Sequence, residues 1–159
     1  MKLRIGQGFD LHRLVDGRSL VLGGVTIPYH LGLAGHSDAD VLVHAIIDSL
    51  IGALALGDIG ALFPDNDNKF KNIDSCILLQ QVLELVDEHN YVINNVDSTI
   101  IIEQPKLRPY IDMMRLKLAQ VMQLNIDQIS IKAKTSEKVG IVGRGEAVAA
   151  EAIVLLVQK

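Results

Sequence analysis

Asp10-Leu11-His12 sets a carboxylate two residues from an imidazole. On a strand, side chains at that spacing leave the same face about 7 Å apart along the chain, so both can turn toward one cation. An isolated pair of this kind is more often a strand-end Asp beside a surface His. His44 changes the balance. It falls inside the apolar run Val41 to Leu56, where a histidine needs a partner to offset its burial. One carboxylate and two imidazoles suit a catalytic zinc, which keeps its fourth position open; a structural zinc usually has four protein ligands. Asp48, one helical turn after His44, and Asp40, one turn before it, are both placed to accept the free N–H of its ring.

Four further segments suit phosphates. Gly35-His36-Ser37-Asp38-Ala39-Asp40 precedes a helical pattern, and backbone N–H groups at a helix start attract anions, although an ordinary N-cap looks the same. Gly57-Asp58-Ile59-Gly60 with Phe63-Pro64-Asp65-Asn66-Asp67 is a binding loop or a solvated connection. In Thr135-Ser136-Glu137-Lys138-Val139-Gly140, Thr135 can donate to a phosphate oxygen and Glu137 can hold an oxygen-preferring divalent ion; a capping box or turn is the plainer reading. Gly143-Arg144-Gly145-Glu146 sets an arginine between glycines, as an anion clamp or as a structural turn.

The elements that must position these residues follow from pattern. At 159 residues the chain makes one domain, 1–159, large enough to bury its own core. Hydrophobic residues reach 49% but aromatics only 4%, so the core must be aliphatic. A net charge of -4 gives no footprint for non-specific nucleic-acid binding. The one cysteine, Cys76, excludes an internal disulfide and fits a reducing compartment. The first residues lack a signal core and no run reaches membrane-spanning length, which predicts a soluble intracellular protein.

Residues 2–12 read as a strand, and 19–28 as a second, interrupted by Gly23-Gly24 and ended by Pro28. A first helix is predicted from Asp38 to Leu56, with Ser37 or Asp38 as N-cap and Gly57 just past its end. A loop follows to Lys71. Asp74-Ser75 caps a helix to about Asn90, Tyr91 to Glu103 is a β-branched strand, and a helix covers about Pro109 to Gln123. Residues 129–134 form a short strand. Glu146 to Val157 is open between helix, from its alanines, and strand, from its alternation. The fold class is α+β, a mostly antiparallel sheet covered by helices.

Taken together and in order, these segments resemble the cyclodiphosphate synthase family of the non-mevalonate isoprenoid pathway. The matching stretches are Gly6-Gln7-Gly8-Phe9-Asp10-Leu11-His12, His36-Ser37-Asp38 with Asp40 and His44, Leu56-Gly57-Asp58-Ile59-Gly60 and Leu62-Phe63-Pro64-Asp65. They continue in Pro105-Lys106, Lys132-Ala133 with Thr135, Glu137-Lys138 and Gly143-Arg144-Gly145-Glu146.

The resemblance implies a homotrimer with three active sites at subunit interfaces, in the cytoplasm or, after removal of a transit peptide, the plastid stroma. It implies zinc on Asp10, His12 and His44, and a magnesium or manganese ion on Glu137 bridging two phosphates. His36 and Thr135 would stabilise the transition state. Asp10, His12, Ser37, Asp58, Ile59, Gly60, Phe63, Pro64, Asp65, Asn66 and Asp67 would line the methylerythritol and ribose region. Ile102, Pro105, Lys106, Leu107 and Arg108, with Lys134, Thr135, Ser136 and Glu137, would hold the cytosine and phosphates. Ile141, Arg144 and Glu146 would lie toward the three-fold axis, where the family can have an apolar cavity for isoprenoid-like phosphates. The implied reaction converts 4-diphosphocytidyl-2-C-methyl-D-erythritol 2-phosphate to a cyclic diphosphate with release of CMP. Three positions depart from the family pattern: Lys134 in place of Thr, Ile141 in place of Phe, and Ala39 in place of a Gly expected early in the first helix and tolerated there. The alternatives are a metal-dependent phosphohydrolase and a trimeric nucleotide-binding module with a structural zinc.

Overall fold

The computed structural model describes residues 2–159. Strand β1 (Leu3–Val15) runs three residues beyond the alternation that marks it in the sequence. Its even positions Gly6, Gly8, Asp10 and His12 share one face, and Leu3, Ile5, Phe9 and Leu11 stand exposed on the other. Segment 19–28 is not one interrupted strand but a hairpin. β2 (Leu20–Leu22) and β3 (Val25–Ile27) pair antiparallel across Gly23-Gly24, whose φ angles of +57° and +71° meet the demand of a two-residue hairpin turn for glycine. β4 (Gly32–Leu33) then pairs with the end of β1.

Helix α1 spans Val41–Leu54 and begins later than its pattern suggests, with Asp40 rather than Ser37 or Asp38 as N-cap. Ala39 is the reason: its φ of +59° turns the chain sharply before the helix and stops helical geometry from extending further back. This also corrects the placement of Ala39, which lies outside the helix in a left-handed conformation that glycine adopts without strain. The far end closes at Ala55, again left-handed, whose N–H donates to the carbonyls of Gly52 and Ile51.

The loop after α1 contains a short helix, α2 (Ile59–Leu62), and a 3-10 turn at Asn68–Phe70. Helix α3 (Ser75–Glu88) has Asp74 as its N-cap. Strand β5 (Tyr91–Ile101), helix α4 (Ile111–Met122) and strand β6 (Ile129–Lys134) follow their sequence patterns closely. After the one-turn helix α5 (Gly140–Gly143), the ambiguous C-terminal segment proves to be β7 (Ala147–Gln158). It is the central strand, in the order β4-β1-β7-β5-β6, with every pairing antiparallel except β5–β6. Val148, Ala150, Ala152, Val154 and Leu156 point into the core, and having strand partners on both sides satisfies the backbone that a helix would have satisfied internally.

Helix α1 packs on β1 and β7 with α3 against it, which explains why it is apolar almost all round. The contact with β1 is close. A Cβ at Gly6 would lie 1.7 Å from the Ser49 carbonyl oxygen, and one at Gly8 1.9 Å from that of Ala45. Gly8→Ala therefore forces α1 off the strand. Unfolding in urea should show a loss of about 1–3 kcal/mol or more, as for overpacked cores. An unchanged midpoint would contradict this packing.

Candidate metal centre and two flanking clefts

The Gly6 and Gly8 contacts press α1 onto the face of β1 that carries Asp10 and His12, and this brings His44 down beside them. The Asp10 Oδ2 atom lies 2.9 Å from His12 Nε2 and 3.0 Å from His44 Nδ1, and the two ring nitrogens are 3.3 Å apart. His12 Nδ1 is 2.6 Å from the Ala34 carbonyl oxygen. A carbonyl only accepts, so Nδ1 carries a hydrogen, and in the neutral ring Nε2 faces Asp10 with its lone pair. Acceptor atoms gathered within 4.8 Å of one another repel unless a cation or a proton sits among them. The donor set fits a divalent metal ion. Burial opposes ionisation of Asp10, but hydrogen bonds and charge from His12 and His44 outweigh it and hold the carboxyl well below its ordinary range. Burial likewise works against a charged His12, and Asp10 overcomes it, raising the imidazole above its ordinary value.

Neither Asp40 nor Asp48 orients His44. Asp40 is wholly buried and accepts from the backbone N–H groups of Gly23, Gly24 and Val43, joining the β2–β3 turn to the start of α1. Burial pushes its carboxyl up to about 6 against the pull of those donors, with Asp38 adding to the rise. Asp48 accepts from Ile59 N–H at 2.7 Å and so fastens α2 to α1. The groups at His44 Nε2 are hydroxyls instead: Ser75 Oγ at 2.8 Å and Ser37 Oγ at 3.2 Å. Ser75 in turn donates to Asp38. Sequence reading treated Ser75 only as a helix-capping residue, and its placement 31 positions from His44 leaves no local signal.

A cleft of about 490 Å³ opens beside the triad. His36, Ser37, Ile59, Gly60, Phe63, Pro64, Asp65 and Asn66 line it with Asp10, His12 and His44. Phe70 and Leu78 also line it and were missed; Phe70 meets Phe63 edge-on at 5.4 Å between ring centres. Asp58 and Asp67 fall outside its lining. Asp58 caps α2 through Ala61 N–H, and Asp67 accepts from Lys69 N–H while its carbonyl receives His36 Nε2 at 2.9 Å.

A second cleft, about 400 Å³, is walled by Ile102, Pro105, Lys106, Leu107, Arg108, Lys134 and Thr135. Lys106, Arg108 and Lys134 make it cationic, while the Lys132 ammonium is paired with Asp97, so the Lys at 134 adds charge where the family pattern has a hydroxyl. Thr135 Oγ1 donates to Glu137 at its rim, while Ser136 turns away to the Val139 carbonyl. Ile141 and Arg144 lie beyond both clefts, with Arg144 paired to Glu146 in solvent.

The two clefts share no lining residue. Sheet register explains the gap. Asp10 aligns with Ala150, Ala150 with Ile100, and Ile100 with Ala133, three inter-strand steps or about 14 Å. A larger hollow of about 750 Å³ lies among α3, α4 and the start of β5, but Glu84, Asp87 and Glu88 rim it and would repel phosphates. Chemistry, not size, singles out the smaller clefts.

A family model described as the YgbB family matches residues 3–157. A 2-C-methyl-D-erythritol 2,4-cyclodiphosphate synthase of Synechococcus sp. (strain JA-2-3B'a(2-13)) is 57% identical over 99% of this chain and 100% of its own. Among solved structures, a protein of Plasmodium falciparum described as an IspF CDP complex superposes with a TM-score of 0.87 at 38% identity, over 99% of this chain and 97% of that one. The bifunctional IspDF of Campylobacter jejuni matches with a TM-score of 0.96 at 40% identity; 99% of this chain is covered, spanning 43% of that longer one.

Proposed function

This chain belongs to the YgbB family of 2-C-methyl-D-erythritol 2,4-cyclodiphosphate synthases, and from that premise we propose how its residues divide the work. The enzyme converts 4-diphosphocytidyl-2-C-methyl-D-erythritol 2-phosphate to 2-C-methyl-D-erythritol 2,4-cyclodiphosphate and CMP, a phosphorus–oxygen lyase reaction of isoprenoid precursor supply. An oxygen of the 2-phosphate bonds to the β-phosphorus, and the bond from that phosphorus to the bridging oxygen breaks, so CMP leaves with the oxygen. Two anions of one molecule must meet.

The observation that carries the assignment of residues is the Asp10–His12–His44 triad opening into the same cleft as His36 and Ser37. These three residues would hold zinc and Glu137 would hold magnesium or manganese, and such ions would supply neutralisation of the phosphate charge. His36 and Thr135 donate to phosphate oxygens as charge builds on them. His36 Nε2 already meets the Asp67 carbonyl, so the ring reaches substrate either through Nδ1 or by exchanging that bond. The Phe63–Asp67 stretch with Asp58, Ile59 and Gly60 encloses the methylerythritol and ribose. Ile102 to Arg108 and Lys134 to Glu137 grip cytosine and diphosphate. No side-chain nucleophile takes part: burial, with the charges of Asp74 and Asp40, pushes the Cys76 thiol up to about 12.

A gap of about 14 Å between clefts is too wide for residues of both to converge on adjacent phosphates, so the metal cleft of one subunit is completed by the cationic cleft of another. The exposed apolar side chains Leu3, Ile5, Phe9, Leu11 and Ile153 supply a sheet face to be buried in a homotrimer, with Ile141, Arg144 and Glu146 toward its axis. Among the described residues no helix is long and apolar enough to cross a membrane.

Mixing inactive His44→Ala protein with inactive Thr135→Ala protein should restore activity in hybrid trimers, because some interfaces then combine two intact halves. Mass spectrometry verifies subunit exchange. Exchange without any recovered turnover would place each site within a single chain.

A further inference from the structure

The hydrogen bonds behind His44 run in one direction. Asp38 accepts three donors: Ser75 N–H at 3.1 Å, Asp40 N–H at 3.1 Å, and the Ser75 hydroxyl. A carboxylate only accepts, so the Ser75 hydroxyl spends its single hydrogen on Asp38 and presents lone pairs to its other neighbours. His44 Nε2 lies 2.8 Å from that oxygen. It must therefore be the donor, and in the neutral ring, the form a metal ion takes, Nδ1 facing Asp10 carries the lone pair. Ser75 is wholly buried, so no water competes for the role.

We infer that Ser75, backed by Asp38, is a positioning residue that fixes His44 as the Nε2–H tautomer, and so sets the affinity of the metal centre. The inference rests on reading Asp10, His12 and His44 as metal ligands. Its logic is that an imidazole offers Nδ1 to a metal only while Nε2 keeps its hydrogen, and a fixed acceptor at Nε2 both selects that tautomer and makes the ring more basic. His12 is held in the opposite sense, by the Ala34 carbonyl at Nδ1. The two rings thus present different nitrogens to one point. A purely structural reading exists: Ser75 and Asp38 could serve only to pin the start of α3 to the 36–40 turn. The Ser75 N–H bond to Asp38 does that without the hydroxyl, and survives in Ser75→Ala.

The test uses zinc alone, titrated into metal-stripped full-length protein against a chromophoric chelator. Ser75→Ala should bind zinc about 10–100-fold more weakly than wild type, the range for loss of a partner behind a metal-bound imidazole. Ser75→Thr should bind as tightly as wild type although its extra methyl, added to a wholly buried residue, lowers the thermal midpoint. Affinity and stability then separate, which a structural role does not allow. Equal zinc affinity in wild type and Ser75→Ala overturns the inference and leaves the triad intact. Wild-type protein that takes up no zinc overturns the triad reading as well. Should Ser75→Ala fail to fold, proton NMR of the zinc-loaded wild type decides: a downfield His44 Nε2–H slow to exchange with water is expected, and one exchanging freely overturns the inference.

Discussion

A substrate analogue lacking the 2-phosphate should occupy the site yet release CMP at least about 10⁵-fold more slowly than the natural substrate, the lower end of the advantage that well-oriented intramolecular attack confers. Binding survives because cytidine and diphosphate still meet the cationic cleft of Lys106, Arg108 and Lys134. Turnover fails because the attacking group is missing and the chain supplies none. Cys76 is buried with its thiol pushed up to about 12, and the serines nearest the triad, Ser37 and Ser75, have their oxygens engaged with His44. If instead the site activated water, both compounds would be cleaved at comparable rates. Measuring CMP release from the two side by side separates a cyclase from a hydrolase, and equal rates would remove the cyclase mechanism.

The second large effect belongs to His44→Ala. Only Asp10 and His12 would remain of the triad, and two ligands hold zinc poorly where three suffice for a catalytic site. Loss of a direct ligand should exceed the 10–100-fold loss typical of a supporting partner, so zinc should be absent after dialysis and turnover should fall below detection. The fold should persist, since the helix retains its apolar contacts with β1, β7 and α3. Elemental analysis of the dialysed variant provides the check; one zinc per chain would dismiss His44 as a ligand.

Much of this site is written locally. Asp10 and His12 declare themselves by strand spacing, and His44 by being a polar residue in an apolar run. The helix boundaries near Asp74 and the strand at 129–134 follow from composition and end signals. What sequence could not yield is set by contacts between distant segments. The choice between Asp40 and Asp48 as partner of His44 was open by spacing, and the structure gives the role to Ser75 from another helix. The true start of α1 depends on a positive φ at Ala39, a residue type that seldom adopts one. The C-terminal segment was undecidable because Ala favours helix while Val and Ile favour strand, and only partners on both sides resolve it.

That central position of β7 bears on how the molecule is made. Its neighbours β1 and β5 leave the ribosome first, and neither can complete its pairing until residues 147–158 emerge. At about 5–20 residues per second, the nascent chain spends several seconds with two strand edges unpaired. Such edges recruit strands from other chains. Small, weakly sticky Gly6 and Gly8 in β1, and the Asn94-Asn95 irregularity in β5, where the pairing with β7 shifts register, make those waiting edges poor templates for a stranger. The closing strand is rich in alanine, which keeps its face beneath α1 slim. Cells that make this protein quickly should lean on chaperones during that interval.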